Sequence, residues 1–386
     1  MSTLPFSDEI FYIFLLFAFI IVCIATYSFI KYIPYDKLIL IVSIAFIILF
    51  FPKPLHLFIF GICNYLLYFI GFKFRNLSKL WMSLLFALPM ILVKSEIKYF
   101  DISSTIVFAG ISYISFRSMS VYFDITDDSK QADFFDFISF LFFIPTILIG
   151  PIDRFRRFHN DIRIQGYANL NQTNFSFGLG LIVLGVLQKY ILAEFVNRYW
   201  LSKTGIAANT DIAMRLSDMF SYFFYLYFDF AGYSSLAVGS SYLMGIKTPE
   251  NFNAPYLAKN PQEFWQRWHK SLGDWLKDYI FSPVYKWLSG IKKLKAYPLT
   301  RQNIALFFTF VLMGFWNGFK FHFILSGAVF GAYSVIHNTY NAECKKKKRD
   351  IVFGNLPSLC IVWLCRLIMF VMAAFSLYIF SGRLIH

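Results

Sequence analysis

Residues 10–30 read IFYIFLLFAFIIVCIATYSFI, and no charge interrupts them. A helix rises 1.5 Å per residue, so about 20 such residues cross the roughly 30 Å hydrocarbon core of a bilayer. Asp8 and Glu9 precede the run, without a basic cluster, which marks a first transmembrane helix rather than a cleaved signal. Outward from it, apolar runs recur at 38–51, 55–72, 80–93, 102–116, 134–150, 175–192, 219–246, 304–316, 323–336 and 356–380. The pattern predicts about eleven segments. Several are too short to span alone and read as tilted, re-entrant or buried among other helices. Broken backbone survives at membrane depth only where protein or a water-filled cavity surrounds it, so a recess into the bilayer is expected. No linker, low-complexity stretch or internal repeat divides the chain, and residues 1–386 read as one integral, all-α, multi-pass domain of the cell membrane.

Composition agrees. The 386 residues are 58% hydrophobic, 21% aromatic and 15% charged, with 50 Phe; soluble domains are about 45–50% apolar and about 25% charged. This excludes disorder and makes an ordinary soluble globule untenable, because so much apolar surface could not all be hidden from water. Net charge is +14. In a membrane chain this reads first as basic loops held on the cytoplasmic side, facing anionic lipid; no zinc-finger or RNA-binding signature points to nucleic acid. The five cysteines, Cys23, Cys63, Cys344, Cys360 and Cys365, form no C-x-x-C pair, so neither a metal site nor a disulfide framework is expected. Two basic clusters stand out, 345–349 and Arg154, Arg156, Arg157 and Arg163. Two readings of Arg154, Arg156 and Arg157 stand: positive-inside bias, or a docking patch for an acidic carrier protein.

The stretch 249–283, PENFNAPYLAKNPQEFWQRWHKSLGDWLKDYIFSP, is polar and aromatic between apolar runs. A helix over 262–280 would set Trp265, Trp268, His269 and Trp275 near one face. One reading is an amphipathic helix at the interface with its tryptophans at headgroup level. That leaves His269 unexplained, and an imidazole there can hold a proton or an acyl carbonyl. With Arg267, the tryptophans also read as a mouth for an anionic ligand. Upstream, Asp229 sits in YLYFDFAGYS (225–234). An intramembrane carboxylate is a functional candidate by default; the alternative is a structural pair with a Lys or Arg. Gly232 allows close helix approach or a break. Downstream, Asn317 and His322 lie between apolar runs, where such groups also serve as interhelical hydrogen-bond partners.

On these residues the chain resembles the membrane-bound O-acyltransferase family. The matching pieces are YFDFAGYS (227–234), PENFNAPY (249–256), FWQRWHKSLGDWLKDYIF (264–281) and MGFWNG (313–318). GPIDRFRRF (150–158) tilts the likeness toward the branch that D-alanylates teichoic acids, and next toward alginate O-acetyltransferases. The resemblance spans roughly 100–340. It implies about eleven transmembrane and re-entrant helices around a central funnel or tunnel. It also implies acyl transfer from a thioester to a hydroxyl. The donor would be D-alanine on the phosphopantetheine of a small acidic carrier protein, with no cofactor bound directly, and a further membrane-associated protein would relay or accept the product.

The resemblance carries two polar positions toward the active centre. One, the His of the R-W-H block, matches His269. The other is the His of a W-H-G motif, and here the residue is Asn317. A carboxamide donates an N–H but is no general base. Three readings follow: an inactivated enzyme, a non-catalytic scaffold of the same fold, or a relocated base. In the third, His269, with or without His322, takes the proton, Asn317 donates to the developing oxyanion, and Asp229 positions the centre. A transporter is the competing class; against it stands the lack of an internal repeat.

Overall fold

The computed structural model describes residues 33–51, 53–74, 79–94, 110–126, 131–148, 150–201, 211–347 and 358–384. The expected segment at 10–30, residues 102–109 of the next-but-three segment, and cations 348–349 lie outside them. Every regular element described is helical. Among the described residues, three helices are long and apolar enough to cross a membrane: Pro54–Lys73, Gln172–Tyr199 and Leu359–Phe380. The chain divides into two compact units, residues 1–186 with 232–250, and residues 187–231 with 251–386.

The first unit opens with α1 (Tyr35–Phe50), α2 (Pro54–Lys73), α3 (Lys79–Lys94) and α4 (Ile111–Thr126). Phe51, ahead of Pro52, is extended (ψ 135°), as the residue before a proline prefers, and Pro54 occupies the first turn of α2, where a missing N–H costs nothing. The expected segment at 134–150 is instead α5 (Phe134–Leu141), capped by the Asp133 carboxylate, and then a 3₁₀ turn over Ile144–Thr146. Pro145 cannot donate to a continuing helix. Arg117, wholly buried on α4, takes over the freed carbonyls: its guanidinium donates to Phe140 O (3.0 Å), Leu141 O (3.2 Å) and Thr146 O (2.7 Å). Helix ends leave such carbonyls without partners, and lipid offers none.

α6 (Phe155–His159) and a π-helical turn (Asn160–Gln165) follow. They carry an ionic lattice built on the buried carboxylates of Asp36, Asp136 and Asp161. Asp161 accepts from Arg157 (2.7 Å), the Lys247 N–H (2.8 Å) and Asn169 (3.3 Å). Arg163 bridges Asp36 (3.0 Å) and Asp136 (2.8 Å), and His159 reaches Asp136 at 3.3 Å. α7 (Gln172–Tyr199), with a π-helical stretch at Leu187–Ala193, packs in this unit on residues 232–243 of α8 (Ile212–Leu243). The contact is glycine on glycine. A Cβ on Gly239 would stand 2.6 Å from Gly178 O, and one on Gly185 2.8 Å from Gly232 O. α8 therefore runs unbroken through Gly232, and small residues let the backbones touch.

The second unit holds α9 (Pro261–Trp265), α10 (Lys270–Leu276), α11 (Ser282–Ser289), α12 (Pro298–Asn317), α13 (Phe321–Lys346) and α14 (Ser358–Phe380). α12 and α13 form a close antiparallel hairpin: a Cβ on Gly314 would lie 2.6 Å from Phe323 O. Ser326 on α13 donates to Ser376 O on α14 (2.8 Å). The buried Asp218 of α8 accepts from Tyr378 (3.0 Å) and Arg383 (3.1 Å).

Gly239→Ala is expected to destabilise the protein by about 1–3 kcal/mol, the cost of overpacking, seen as a lower thermal unfolding midpoint in detergent. Gly180→Ala, whose Cβ meets nothing within 4 Å, is expected to leave it unchanged. Equal shifts for both would refute the backbone-contact account.

Candidate functional site

The single helix expected over 262–280 is broken, and the break makes the site. Asn260 caps α9 by accepting from the Glu263 N–H (2.8 Å); Glu263 accepts from the Lys259 N–H (2.9 Å) and holds Arg267 (2.9 Å). The helix stops at Trp265, and α10 starts only at Lys270. Between them His269 adopts left-handed backbone, φ 45°, ψ 51°. Among the described non-glycine residues, positive φ occurs at His269 and at Ala254, both within the 249–283 block. Such a residue costs about 1–3 kcal/mol and persists only when its surroundings fix it.

Residues 251–253 supply the fixing. Asn251 O accepts from the Lys270 N–H (2.9 Å), and Arg267 O accepts from the Asn253 N–H (2.9 Å). The Asn251 carboxamide oxygen accepts from both the Ser271 N–H (3.2 Å) and its hydroxyl (2.6 Å). The periodicity that predicted one helix sees neighbours three and four residues away. It cannot see partners 20 residues off.

The His269 side chain is 4% exposed. Its ring meets Phe230 edge-on at 4.8 Å, and neither ring nitrogen has a hydrogen-bond partner. A buried polar group left unpaired costs about 1–3 kcal/mol, and one built on strained backbone is what a ligand-receiving group looks like. Burial pushes its pKa down to about 3, so at neutral pH the ring offers one N–H and one lone pair.

Trp268 and Trp275 are buried in the protein interior, and Trp265 is half-buried. Trp268 stacks on Phe264 (5.6 Å) and packs edge-on against Phe252 (5.2 Å); Trp275 is buried against Tyr279 (5.2 Å). Trp265 packs on Phe310 (5.3 Å) and Phe330 (5.2 Å), its buried indole N–H without an acceptor. Arg267 is neutralised by Glu263. Asp229 pairs with Lys189 at 2.6 Å, the structural-pair alternative, and does not hydrogen-bond His269. Lys189 went unnoticed in the sequence because 40 residues separate the partners.

Asn317 ends α12 and donates to Met313 O (2.9 Å). His322, one turn into the hairpin's return, places Nδ1 2.7 Å from Phe380 O. A carbonyl only accepts, so Nδ1 carries the proton and the neutral ring's lone pair sits on Nε2. Gly382, at φ 77°, lies against the ring. Register separates these groups from the Trp265 level. Asn317 lies seven residues past Phe310, and His322 eight residues before Phe330; both offsets are about 10–12 Å along the hairpin. Asn317 and His322 therefore flank the turn of the α12–α13 hairpin, beyond the level at which Trp265 packs.

Of the basic trio, which belongs to the first unit, Arg157 is held by Asp153 and Asp161. Arg156 is exposed and donates to Asp124 O (2.8 Å), and Arg154 is half-buried.

Compared with known proteins, residues 73–375 match the membrane-bound O-acyltransferase family. The chain is 37% identical over 288 residues to a teichoic acid D-alanyltransferase of Bacillus subtilis (strain 168), covering 73% of this chain and 70% of that one. It is 31% identical over 379 residues to a teichoic acid D-alanyltransferase of Lacticaseibacillus rhamnosus, covering 91% of each. A probable alginate O-acetylase of Pseudomonas syringae pv. tomato is 31% identical over 264 residues, 66% of this chain and 47% of that one.

His269 has a pH signature. Its native pKa of about 3 lies below the usual 6.5 or so, so the unfolded chain binds a proton that the native chain refuses. The associated stability is complete above about pH 6.5 and is lost as pH falls toward about 3. His269→Asn, which tolerates left-handed backbone and does not titrate there, is expected to show a shallower acid-side decline of the unfolding midpoint between pH 7 and 4. Superimposable profiles would remove the buried, neutral imidazole.

Proposed function

The chain belongs to the membrane-bound O-acyltransferase family, and from that premise we propose that it moves D-alanine from a carrier-protein thioester to a hydroxyl on the way to teichoic acid. The observation that carries this is His269: an imidazole wholly inside the protein, on strained backbone, with both nitrogens unspent. In the transfer, a hydroxyl oxygen attacks the thioester carbonyl carbon, the C–S bond breaks, and the hydroxyl proton passes to a base and finally to the leaving thiolate.

A general base works best with a pKa near the working pH, and His269 at about 3 is mismatched to that task. Its role is instead to donate its N–H to the thioester carbonyl oxygen as charge develops there, a contribution of about 10²–10³-fold. The proton goes to Nε2 of His322, which the Phe380 carbonyl leaves as the acceptor, while the second N–H of the Asn317 amide faces the incoming acceptor. Trp265 and Arg267 line the donor's approach. Trp268 and Trp275 hold the wall behind His269. The Asp229–Lys189 pair fixes the α8 segment that carries Phe230.

The remaining parts of the reading follow the family. About eleven segments enclose a funnel in one multi-pass domain of the cell membrane. The acidic carrier docks at Arg156, with Arg154 and Arg157 behind it. A membrane-associated protein relays the product.

The test is single-turnover transfer from D-alanyl-loaded carrier protein by the purified chain in nanodiscs, with acetyl-loaded carrier in parallel. The chain is expected to transfer D-alanine. His269→Ala is expected to slow it about 10²–10³-fold and His322→Phe about 10²–10⁴-fold. A chain that is inert until Asn317→His is introduced would make it a non-catalytic scaffold, the reading Asn317 favours, and faster acetyl transfer would move it to the O-acetylating branch.

A further inference from the structure

The α12–α13 hairpin carries a feature that acyl transfer does not use. Thr300, Asn303, Ile304 and Phe307 of α12 and Val335 and Ile336 of α13 line an apolar groove of about 670 Å³. The α12 residues follow helical spacing, and the face behind them (Ala305, Thr309, Phe310) is buried. The groove face is not: Ile336 is 67% exposed. Thr300 to Val311, the groove's length on α12, is 11 residues, or about 16 Å. That is half of a roughly 30 Å hydrocarbon core, the depth of one leaflet.

The two ends of the groove differ. At the Thr300 end the lining turns polar: Asn303 donates to Thr339 (2.9 Å) and accepts from Asn338 (2.6 Å). Beyond it both helices reach cations. Lys292, Lys293 and Lys295 are exposed just ahead of α12, and Lys345, Lys346 and Lys347 are exposed at the end of α13. Register brings the two sets together, because Asn303 bonds Thr339; α12 begins five residues before the first, and Lys345 lies six residues after the second. Arg301, half-buried over the Tyr285 ring at 5.3 Å, adds a cation. The described acid at this end, Glu343, is spent on Lys347 at 3.9 Å.

Apolar trough, hydrogen-bonding neck and cationic rim therefore follow one another in the order of acyl chain, ester and phosphate. We infer that the groove is a binding site for one anionic phospholipid of the cytoplasmic leaflet, its acyl chain between α12 and α13 and its phosphate among Lys292, Lys293, Lys295 and Lys345–Lys347. The leaflet follows from the cations, which are retained on the cytoplasmic side. The same orientation sets the Asn317 turn, the other end of a 20-residue helix, about 30 Å away at the opposite face.

Native mass spectrometry of the delipidated full chain, titrated with phosphatidylglycerol or phosphatidylcholine of matched acyl chains, tests this without reference to acyl transfer. One phosphatidylglycerol is expected to bind in preference to phosphatidylcholine. Each Lys→Gln change at 345, 346 and 347 is expected to cut that preference by up to about fivefold, the worth of one lysine at a membrane surface. Ala332 also lines the groove; Ala332→Trp, which fills it, is expected to abolish binding of both lipids while leaving the thermal midpoint within the range of Ala332→Val. If Ala332→Trp does not fold, the lysine variants, all at exposed positions, decide alone. Equal binding of the two lipids, an unchanged preference in the lysine variants, or undiminished binding by folded Ala332→Trp would overturn the inference. So would a dimer that Ala332→Trp dissolves, since the groove would then belong to a second copy.

Discussion

Hydrocarbon offers no hydrogen bonds, and this constraint shapes each interruption of the helices. Where a helix stops inside such a protein, its last carbonyls and first N–H groups must be met by the protein itself. Arg117 meets the carbonyls of α5 and of the 3₁₀ turn beyond it. Asn251 meets the chain at the 265–270 break. His322 meets Phe380 at the end of α14. At these three places the polar side chain comes from elsewhere in the sequence, and each is a fixed feature rather than a frayed end.

Against that background the His269 ring is the exception. The backbone around it is fully tied, yet its nitrogens are not. A protein that spends an arginine on three carbonyls has the means to satisfy an imidazole. Leaving it unsatisfied, in a left-handed turn, costs free energy, and in the proposed reading a bound carbonyl recovers it. Burial lowers the pKa of the same ring, which is why the proposed transfer gives the proton to His322. There an ordinary carbonyl contact fixes the tautomer.

The charged groups divide by the same logic. Arg157, Arg163, Asp161 and Asp136 neutralise one another inside the first unit, and Lys189 neutralises Asp229 inside the second. Exposed lysines gather at the open ends of α12 and α13, Lys292, Lys293 and Lys295 at one and Lys345 and Lys346 at the other, where the inferred lipid phosphate would be their counter-charge.

Sequence alone determined the solvent and the lineage. Apolar runs and a low charge content report lipid, because transfer free energy adds residue by residue. The prolines at 52 and 54 mark a break between two helices, because the missing N–H and the ring are local facts. The tryptophan block named the family, and Asn317 declared its departure, both by residue identity. What the tertiary structure decided was every pairing: that 262–280 breaks at His269, that Asp229 belongs to Lys189, that Arg117 closes α5, and that His322 belongs to the Phe380 carbonyl. These depend on partners 20 to 58 residues away. No periodicity in the chain encodes such a distance, since helical patterning reports only which face a residue occupies and not what waits opposite it.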